Sequence, residues 1–247
     1  MAIPENTVVC VKKGGQRDSA ESFSRKNGVP ITNEPGEGLT LLYDTSGVSL
    51  VGYGLTFRGD FEGMLHRITD GRLAHEMLVR VTKTKDESPR AVDATAGMGE
   101  DSILLAAAGY DVTMFEQDPV IAALLKDALR RAKKHPVLAP IAARMHLVEG
   151  DSIALMPSLV REPDVVFLDP MFPARQKSGL INKKLQLIQK LEHPATNEAE
   201  LLEAAMRTEP GKIVIKRPQK GPFLAGRKPD YSVDGKAIRY DVIVVKK

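Results

Sequence analysis

Cysteine and long apolar runs are both scarce in this sequence, and each scarcity excludes a class of protein. Cys10 is the only cysteine in 247 residues, which excludes a disulfide framework and a cysteine metal cluster. No apolar run approaches the roughly 20 residues that a membrane-spanning helix needs. Residues 1–6 lack the basic flank and apolar segment of a secretion signal. We therefore expect a cytoplasmic protein with no membrane partner.

Histidine clusters and repeats are missing as well. The five histidines show no metal-ligand spacing, so no metal is expected. There is no internal repeat and no low-complexity tract. The length is sufficient for one large domain, or for one domain with a small appendage.

Positive charge is concentrated in two runs, although the net charge is only +3. The first run contains Arg175, Lys177, Lys183, Lys184 and Lys190, and the second contains Lys212, Lys216, Arg217, Lys220, Arg227 and Lys228. A solvated surface is the ordinary explanation for such runs. A polyanionic partner is the alternative, and it gains weight because both runs flank the acidic motif described below.

The first 55 residues differ in texture from the rest of the chain. Strands are predicted at Thr7–Lys12, Leu39–Tyr43 and Val48–Tyr53, and a helix at Ser19–Lys26. A stretch rich in Gly, Pro and Asn follows that helix. We assign residues 1–55 to a small N-terminal α+β unit and residues 56–247 to the main domain.

Strands and helices alternate in the main domain. Strands are predicted at Ala91–Asp93, Asp111–Glu116, Met145–Val148, Asp164–Leu168 and Lys212–Lys216, and a closing antiparallel hairpin at Tyr231–Val233 and Ile238–Val245. Helices are predicted at Leu73–Lys83, Asp101–Ala108, Val120–Lys133, after Asp151, and at Glu198–Thr208. This α/β alternation predicts a parallel sheet covered on both faces, with ligands at the carboxyl ends of its strands.

The loop that begins at Asp93 resembles a nucleotide-binding turn. Gly97 and Gly99 permit a tight turn close to a ligand, and the following helix offers free N–H groups. The third glycine of the dinucleotide fingerprint is replaced by Ser102. Glu100 and Asp101 would repel a pyrophosphate and suit a ligand with an ammonium or sulfonium charge. Alternatively, these two acids only complement the helix dipole.

Acids also follow the second and third predicted strands. Glu116, about 20 residues after the glycine loop, is placed to accept both hydroxyls of a ribose. Asp118, with Pro119 after it, is typical of a helix N-cap. Asp151 either accepts the exocyclic amine of an adenine or caps the helix that follows it.

The fourth loop, Asp169-Pro170-Met171-Phe172-Pro173, brings an acid, a rigid turn and an apolar ring to the end of a buried strand. Asp169 can accept a hydrogen bond from an amine, and the Pro170 carbonyl is a second acceptor beside it. Phe172 offers a face on which a planar base can stack. Alone, an Asp-Pro pair is an ordinary turn. Its position after three ligand-like loops favours a catalytic role.

These motifs resemble the class I S-adenosylmethionine-dependent methyltransferases in order and spacing, and the closing hairpin resembles that of their seven-stranded, Rossmann-like sheet. Three segments go further: DATAGMGEDS from Asp93, DPMFPARQKS from Asp169, and KRP at Lys216–Pro218. They resemble the bacterial small-subunit ribosomal RNA methyltransferase J family, over roughly residues 60–247.

The resemblance implies methylation of the exocyclic N2 amine of a guanosine in 16S ribosomal RNA. S-adenosylmethionine is the implied cofactor, and ribosomal RNA or the small subunit the implied partner. The implied cofactor residues are Asp93, Gly97, Gly99, Glu100, Asp101, Glu116, Gln117, Asp151, Ser152 and Asp169. Asp169, Pro170 and Phe172 are implied to act on the base, and Arg175, Lys177, Lys183, Lys184, Lys216 and Arg217 to bind RNA. Glu100 departs from a family pattern in which a basic residue is common, so a contact through its backbone is expected.

Several interpretations stay open from the sequence. The Asp-Pro turn is also compatible with adenine N6 in nucleic acid, or a protein side-chain amide, as acceptor. A nicotinamide-dependent oxidoreductase is disfavoured by the missing third glycine and by Glu100 and Asp101. A non-catalytic RNA-binding module is disfavoured by the intact Asp169 and glycine loop. The segment His66–Arg72 either covers the cofactor, holds RNA or is a plain connection.

Overall fold

The computed structural model of the chain describes residues 3–69, 71–170, 187, 191 and 197–245. These residues form two sheets, one of five strands near the N-terminus and one of seven strands. Within the described ranges, no helix combines the length and the apolar character needed to cross a membrane.

The N-terminal sheet has the strand order β2-β1-β3-β4-β5. Its strands are β1 (Val8–Val11), β2 (Ile31–Thr32), β3 (Thr40–Asp44), β4 (Gly47–Gly52) and β5 (Leu55–Phe57). Helix α1 (Arg17–Asn27) connects β1 to β2 and ends at Gly28, where a φ of 67° provides the left-handed C-cap. The sequence did not predict β2 and β5, which are too short for a period-2 pattern.

This N-terminal sheet shares a hydrophobic core with the rest of the chain. Side chains from its strands, including Leu41 and Leu50, pack with Val120 and Leu124 of the main domain. The buried Asp127 reinforces the contact, because its carboxylate accepts hydrogen bonds from Gln16 Nε2 and Val48 N, both at 2.9 Å. The division at residue 55 stays a prediction, and the sheet itself continues to the end of β5.

The larger sheet has the strand order β11-β12-β10-β9-β6-β7-β8. Its strands are β6 (Arg90–Asp93), β7 (Asp111–Glu116), β8 (Met145–Glu149), β9 (Val165–Leu168), β10 (Lys212–Pro218), β11 (Tyr231–Asp234) and β12 (Ile238–Val244). Strands β6 to β10 are parallel, whereas β12 is antiparallel to both β10 and β11. The predicted seven-stranded, mostly parallel α/β fold with a closing hairpin is confirmed.

The helices of this domain are α2 (Leu65–Ile68), α3 (Met77–Thr82), α4 (Glu100–Ala107), α5 (Pro119–Ala132), α6 (Ala139–Ala142), α7 (Ser152–Leu155) and α8 (Glu198–Arg207). The prediction of one continuous helix over Leu73–Lys83 is wrong. A 3-10 turn covers Arg72–His75 and α3 follows it, because Glu76 between them is extended, with ψ 124°. The side chain of Glu76 is held by Arg67, a long-range contact that helical periodicity does not reveal.

The order of the strands determines where a ligand can bind. The chain runs from β6 outward to β7 and β8, then returns to β9 on the other side of β6. All four residues of β9 are buried, as expected for a strand with helices on both faces. Sheets of this kind bind ligands in the crevice at the carboxyl ends of the strands beside such a reversal. The loops after β6 and β9 lie at that crevice.

Candidate active site

The loop between β6 and α4 forms one wall of the site. Its backbone is tied to the strands on either side, because Ala94 N donates to the Phe167 carbonyl at 3.1 Å and Ala96 N to the Phe115 carbonyl at 3.0 Å. Gly97 and Gly99 both have left-handed backbone angles, with φ of 52° and 78°. Non-glycine residues rarely adopt these angles, so the predicted tight turn is confirmed.

The two glycines of this turn have different surroundings. A Cβ atom at Gly99 would lie 3.0 Å from Leu125 Cδ1 and 3.1 Å from Phe61 Cζ, so core packing occupies that side. At Gly97, no atom of the described residues lies within 4 Å of the same position. A ligand can therefore approach the backbone at Gly97, whereas Gly99 is required for packing.

Asp93 lies buried beneath the glycine loop. Ser102 Oγ donates to its Oδ2 at 2.6 Å, and Thr95 N donates to its Oδ1 at 3.1 Å. Burial raises the pKa of Asp93 to about 7, and the hydrogen bond from Ser102 only partly opposes this. Ser102, which stands where a dinucleotide-binding protein has its third glycine, thus supports an acid beneath the loop. Sequence reasoning noted the substitution but missed this contact.

Glu116, at the end of β7, joins the loop to the second strand. Its Oε2 accepts a hydrogen bond from Gly97 N at 2.9 Å, and its Oε1 accepts one from Asp118 N at 2.7 Å. Desolvation raises the pKa of Glu116 to about 7, against the lowering effect of the Asp118 amide. Gln117 is exposed beside it. The contact of Glu116 with a ribose stays a prediction, but its carboxylate lies at the open side of the turn.

Helix caps account for two of the predicted acids. Asp118 accepts from Val120 N at 2.8 Å and from Ile121 N at 2.9 Å at the start of α5, which confirms the predicted N-cap. Asp151 accepts from Ile153 N at 2.9 Å and caps α7. The exposed Asp151 still has a face toward solvent, so capping and a contact with adenine are compatible.

Asp169 stands at the end of β9, against the glycine loop. Its backbone N donates to Thr95 Oγ1 at 2.7 Å, which fixes the start of the Asp-Pro turn to the loop after β6. Its side chain is 37% exposed, and its Oδ2 lies 2.9 Å from Lys216 Nζ. Pro170, which follows, is buried. The structure thus places a partly open carboxylate at the reversal of the sheet.

Lys216 forms a bridge that the sequence did not predict. Its Nζ contacts Asp169 Oδ2 and also lies 2.6 Å from Asp101 Oδ2. The sequence had suggested that Asp101 faces a cation of the ligand; in this structure its cationic partner is Lys216. Glu100, beside it, is exposed.

The charges of these groups oppose one another. Burial raises the pKa of the Asp169 carboxyl, and the Lys216 ammonium opposes that rise. For Lys216 itself, burial would lower the pKa, but the carboxylates of Asp101 and Asp169 outweigh it and hold the pKa above its ordinary value. Among the described residues, the site therefore contains four buried or half-buried acids and one lysine. We call this group, which consists of Asp93, Asp101, Glu116, Asp169 and Lys216, the pocket. In the described part of the chain, no three potential metal ligands converge.

One aromatic residue, Tyr240, and one basic residue, Arg67, also lie near Lys216 or its partner Asp101. Tyr240 of β12 is the partner of Lys216 in the antiparallel register and is buried, with its ring tilted against Phe167 at a centroid distance of 6.4 Å. Arg67 lies near Asp101 and Glu100. Its hydrogen bonds to Glu76 raise its pKa, and the negative charges of Asp101 and Glu100 raise it further. The segment around Arg67 therefore lies beside the start of α4. Its contact with cofactor or RNA stays a prediction.

The residues predicted to contact RNA have different positions. The prediction for Arg217 is wrong: its side chain is 0% exposed and donates to Glu198 Oε1 at 3.0 Å and to the Pro222 carbonyl at 3.0 Å. Lys216 points into the pocket and not onto an open surface. Phe172, Arg175, Lys177, Lys183 and Lys184 lie outside the described residues.

A seven-stranded sheet of this order, with a glycine turn after β6, an acid after β7 and an Asp-Pro turn after β9, defines a class I S-adenosylmethionine-dependent methyltransferase. Residues 55–245 match the SAM_MT family model, described as "Putative SAM-dependent methyltransferase".

Individual relatives narrow the class. A ribosomal RNA small subunit methyltransferase J from Pseudomonas aeruginosa (strain LESB58) is 38% identical over 236 residues, which is 92% of this chain and 90% of the relative. One from Thioalkalivibrio sulfidiphilus (strain HL-EbGR7) is 39% identical over 242 residues, 92% of this chain and 93% of the relative. The crystal structure of an S-adenosylmethionine-dependent methyltransferase from Neisseria gonorrhoeae superimposes with a TM-score of 0.75 and 33% identity, covering 96% of this chain and 95% of that one. This chain belongs to the ribosomal RNA small subunit methyltransferase J family.

The residues of the pocket fit the cofactor of this family, S-adenosylmethionine. Its sulfonium and ammonium groups are positive, and among the described residues of the site the acids Asp93, Asp101, Glu116 and Asp169 outnumber the one lysine, Lys216. Its ribose and methionine portions need close backbone approach, which the open side of Gly97 provides. The acids that argue against a pyrophosphate therefore suit this ligand.

Proposed function

We propose that this protein transfers a methyl group from S-adenosylmethionine to the exocyclic N2 amine of a guanosine in 16S small-subunit ribosomal RNA. One observation carries the proposal: Asp169, whose carboxylate is partly open, is anchored by its backbone N to Thr95 Oγ1 in the loop that fits the cofactor. An acceptor for an amine thus lies beside the methyl donor's site. The names of the relatives, ribosomal RNA small subunit methyltransferase J, support small-subunit RNA as the substrate. A cytoplasmic location is proposed with it.

The cofactor would lie along the carboxyl ends of β6, β7 and β8. In this arrangement Glu116 accepts the ribose hydroxyls, and Asp151 accepts the adenine amine. The methionine portion lies over Gly97 and near the acids of the β6 loop and α4. The remaining predicted contacts are Asp93, Gly99, Glu100, Asp101, Gln117 and Ser152. Most of these act through backbone or through the shape of the loop, since Gly99 is closed by packing and Asp93 is fully buried.

The acceptor amine of guanine is a weak nucleophile, because its lone pair is delocalised into the ring. When bound, the cofactor supplies an electrophilic methyl group whose carbon–sulfur bond breaks as the carbon–nitrogen bond forms, leaving a neutral thioether. Asp169 and the Pro170 carbonyl would accept the two N–H groups and favour the pyramidal amine, which exposes the lone pair. Holding the two reactants in line can lower the activation barrier by up to about 7–11 kcal/mol. The surplus proton can leave after transfer, so Asp169 need not be a strong base.

Lys216 would keep Asp169 in the state that this role requires. A carboxyl that is partly buried tends to retain its proton, and the neutral carboxyl is a weaker acceptor for the amine than the carboxylate. The Lys216 ammonium, 2.9 Å from Oδ2, favours the ionised form. We therefore assign Lys216 to positioning Asp169 within the pocket.

The target base must leave its stack to reach Asp169, or already be unpaired. Phe172 is proposed to hold the base by stacking, a contact worth roughly 1–3 kcal/mol. Arg175, Lys177, Lys183 and Lys184 are proposed to neutralise the RNA backbone. These five residues lie outside the described ones, so their roles rest on the sequence.

Methyl incorporation into small ribosomal subunits and into naked small-subunit RNA tests the proposal. Digestion of the labelled RNA to nucleosides should yield N2-methylguanosine. N6-methyladenosine, or label in ribosomal protein, would instead support the alternative acceptors. Asp169→Ala should remove activity because it removes the acceptor, whereas Asp164→Ala is a matched control: Asp164 precedes the same strand at its opposite end, and among the described residues its carboxylate accepts from Arg90 N. Calorimetry with S-adenosylmethionine and with NAD checks the cofactor class independently.

A further inference from the structure

Two buried arginines fix the segment that follows β10, residues 219–230, which we name the β10 loop. Arg217 donates to the Pro222 carbonyl at 3.0 Å. Arg239 Nη1 donates to the carbonyls of Pro218, Gln219 and Gly221 at 3.0, 2.7 and 2.9 Å. Burying a guanidinium costs free energy unless it is fully paired, and each arginine also has a carboxylate partner, Glu198 or Asp241. The backbone of the β10 loop is therefore fixed before any ligand binds.

This fixed loop presents an aromatic ring to solvent. Phe223 is 38% exposed, and the Arg239 guanidinium carbon lies 5.1 Å from its ring centroid. The guanidinium covers one face of the ring, and this cation–π contact holds the ring in place while its other face can stack a base. An exposed ring held by a fixed support can stack a base at little entropic cost.

Exposed positive charges lie within five residues of the ring along the chain. Lys220, Arg227 and Lys228 are all exposed, and in the described part of the chain none of them is paired with a carboxylate. The other three cations of the same basic run have partners within the fold: Lys212 donates to the Val81 and Lys83 carbonyls, Lys216 pairs with Asp169, and Arg217 pairs with Glu198. The basic run thus divides into inner cations that support the structure and outer cations that can contact phosphates.

The β10 loop lies at the same edge of the sheet as the active site. β10 ends at Pro218, two residues after Lys216, which contacts Asp169. At about 3.3 Å per residue, the loop begins about 7 Å along the strand from Lys216. Ala225 N also donates to Glu198 Oε2 at 3.0 Å, so the loop rests on the start of α8. The β10 loop therefore begins close to the carboxylate that is proposed to accept the target amine.

We infer that the β10 loop is a second RNA-binding surface, where Phe223 stacks an unpaired base flanking the target guanosine and Lys220, Arg227 and Lys228 neutralise the adjoining phosphates. The inference rests on the proposed function, because it takes the substrate to be RNA. It adds a contact outside the pocket that the cofactor and the target base occupy. The partner is single-stranded, because only an unpaired base exposes its face to such a ring.

Two replacements of Phe223 test the stacking. Phe223→Leu keeps apolar cover over Arg239 but has no flat face, whereas Phe223→Tyr keeps the ring. We expect Phe223→Leu to raise the KM for small-subunit RNA about 5- to 20-fold, because one face of the ring is already covered. The kcat at saturating RNA and the Kd for S-adenosylmethionine should stay at wild-type values, and Phe223→Tyr should restore the KM. Val160→Ala is the control, an exposed apolar residue that precedes β9 at the opposite edge of the sheet.

A triple variant in which Lys220, Arg227 and Lys228 become glutamine tests the charges. Each lost phosphate contact should reduce the slope of log Kd against log salt by about 0.7. A KM unchanged in Phe223→Leu, or a salt slope unchanged in the triple variant, overturns the inference while the wild-type protein still methylates RNA. If the wild-type protein neither binds nor methylates small-subunit RNA, the proposed function fails as well. The two failures are therefore distinguishable.

Discussion

Replacing Lys216 with methionine should shift the pH range in which the enzyme works. Methionine keeps an apolar stem of similar length but removes the ammonium group 2.9 Å from Asp169 Oδ2 and 2.6 Å from Asp101 Oδ2. In the wild-type chain, burial raises the pKa of Asp169 and Lys216 opposes the rise. Without the ammonium, burial and repulsion from Asp101 raise the pKa of Asp169, and the main group that lowers it is gone. Asp169 will then hold its proton to higher pH, and a neutral carboxyl is a weaker acceptor for the amine than a carboxylate.

The size of the shift follows from the charges that face Asp169. Among the described residues these are Asp101 from α4, Asp93 from β6 and Lys216 from β10; Arg217, on the other face of β10, contributes less than Lys216. An opposite charge within about 4–6 Å lowers a carboxyl pKa by about 1–3. Because the Asp169 side chain is 37% exposed, water weakens the pair, so the lower end applies. We expect the acid limb of kcat to move upward by about one pH unit, a loss of about tenfold below the limb.

The measurement is kcat for small ribosomal subunits as a function of pH, with cofactor and subunits both saturating. Lys216→Arg, which keeps the charge, should retain the wild-type limb. Lys212→Met is a matched control on the same strand, since Lys212 Nζ only donates to the Val81 and Lys83 carbonyls at the other end of β10. An acid limb in Lys216→Met that coincides with the wild-type limb would refute the positioning role, whatever the loss of rate.

Three further outcomes are expected. Affinity for S-adenosylmethionine, measured by calorimetry, should weaken as the pH falls through about 7, because Asp93 and Glu116 titrate there and lose negative charge; an affinity independent of pH would contradict this. Asp169→Ala should abolish methyl transfer yet leave cofactor affinity largely intact, and near-normal turnover would remove Asp169 from the mechanism. Gly97→Ala and Gly99→Ala should each cost about 1–2 kcal/mol of strain. Gly99→Ala should lower the thermal unfolding temperature further, because the added methyl group crowds the core. Gly97→Ala should mainly weaken cofactor binding.

Local sequence signals predicted the elements that carry the site. The strand Asp111–Glu116 was predicted with the bounds that it has, and the hairpin around Gly235 follows from its turn residues. Asp118 was predictable as a cap because a cap depends on neighbouring residues alone. The Lys216 bridge was not predictable in this way. It joins β10 to β9 and α4, and no local pattern states which strands become neighbours.

One feature of that bridge could nevertheless be predicted from the sequence: Lys216 and Arg217 lie on different faces of their strand. Side chains at successive positions of a strand point to opposite faces, so Lys216 and Arg217 cannot both face the same ligand. That rule alone predicts that at most one of them lies in the pocket beside Asp169. The structure assigns Lys216 to the pocket and Arg217 to the opposite face, against Glu198 of α8.

The alternation on β10 also explains how chemistry and RNA binding can be separated within a few residues. Lys216 lies on one face, where its ammonium contacts Asp169 and is proposed to keep that carboxylate ionised. Arg217 acts on the other face, through the Pro222 carbonyl, where it fixes the β10 loop that carries Phe223. A change at Lys216 should therefore alter the pH dependence of turnover, and a change at Arg217 should alter RNA affinity through the loop. Because both side chains leave one strand at adjacent positions, the proposed site for the target amine and the proposed site for the flanking base would be held at a fixed spacing by the sheet.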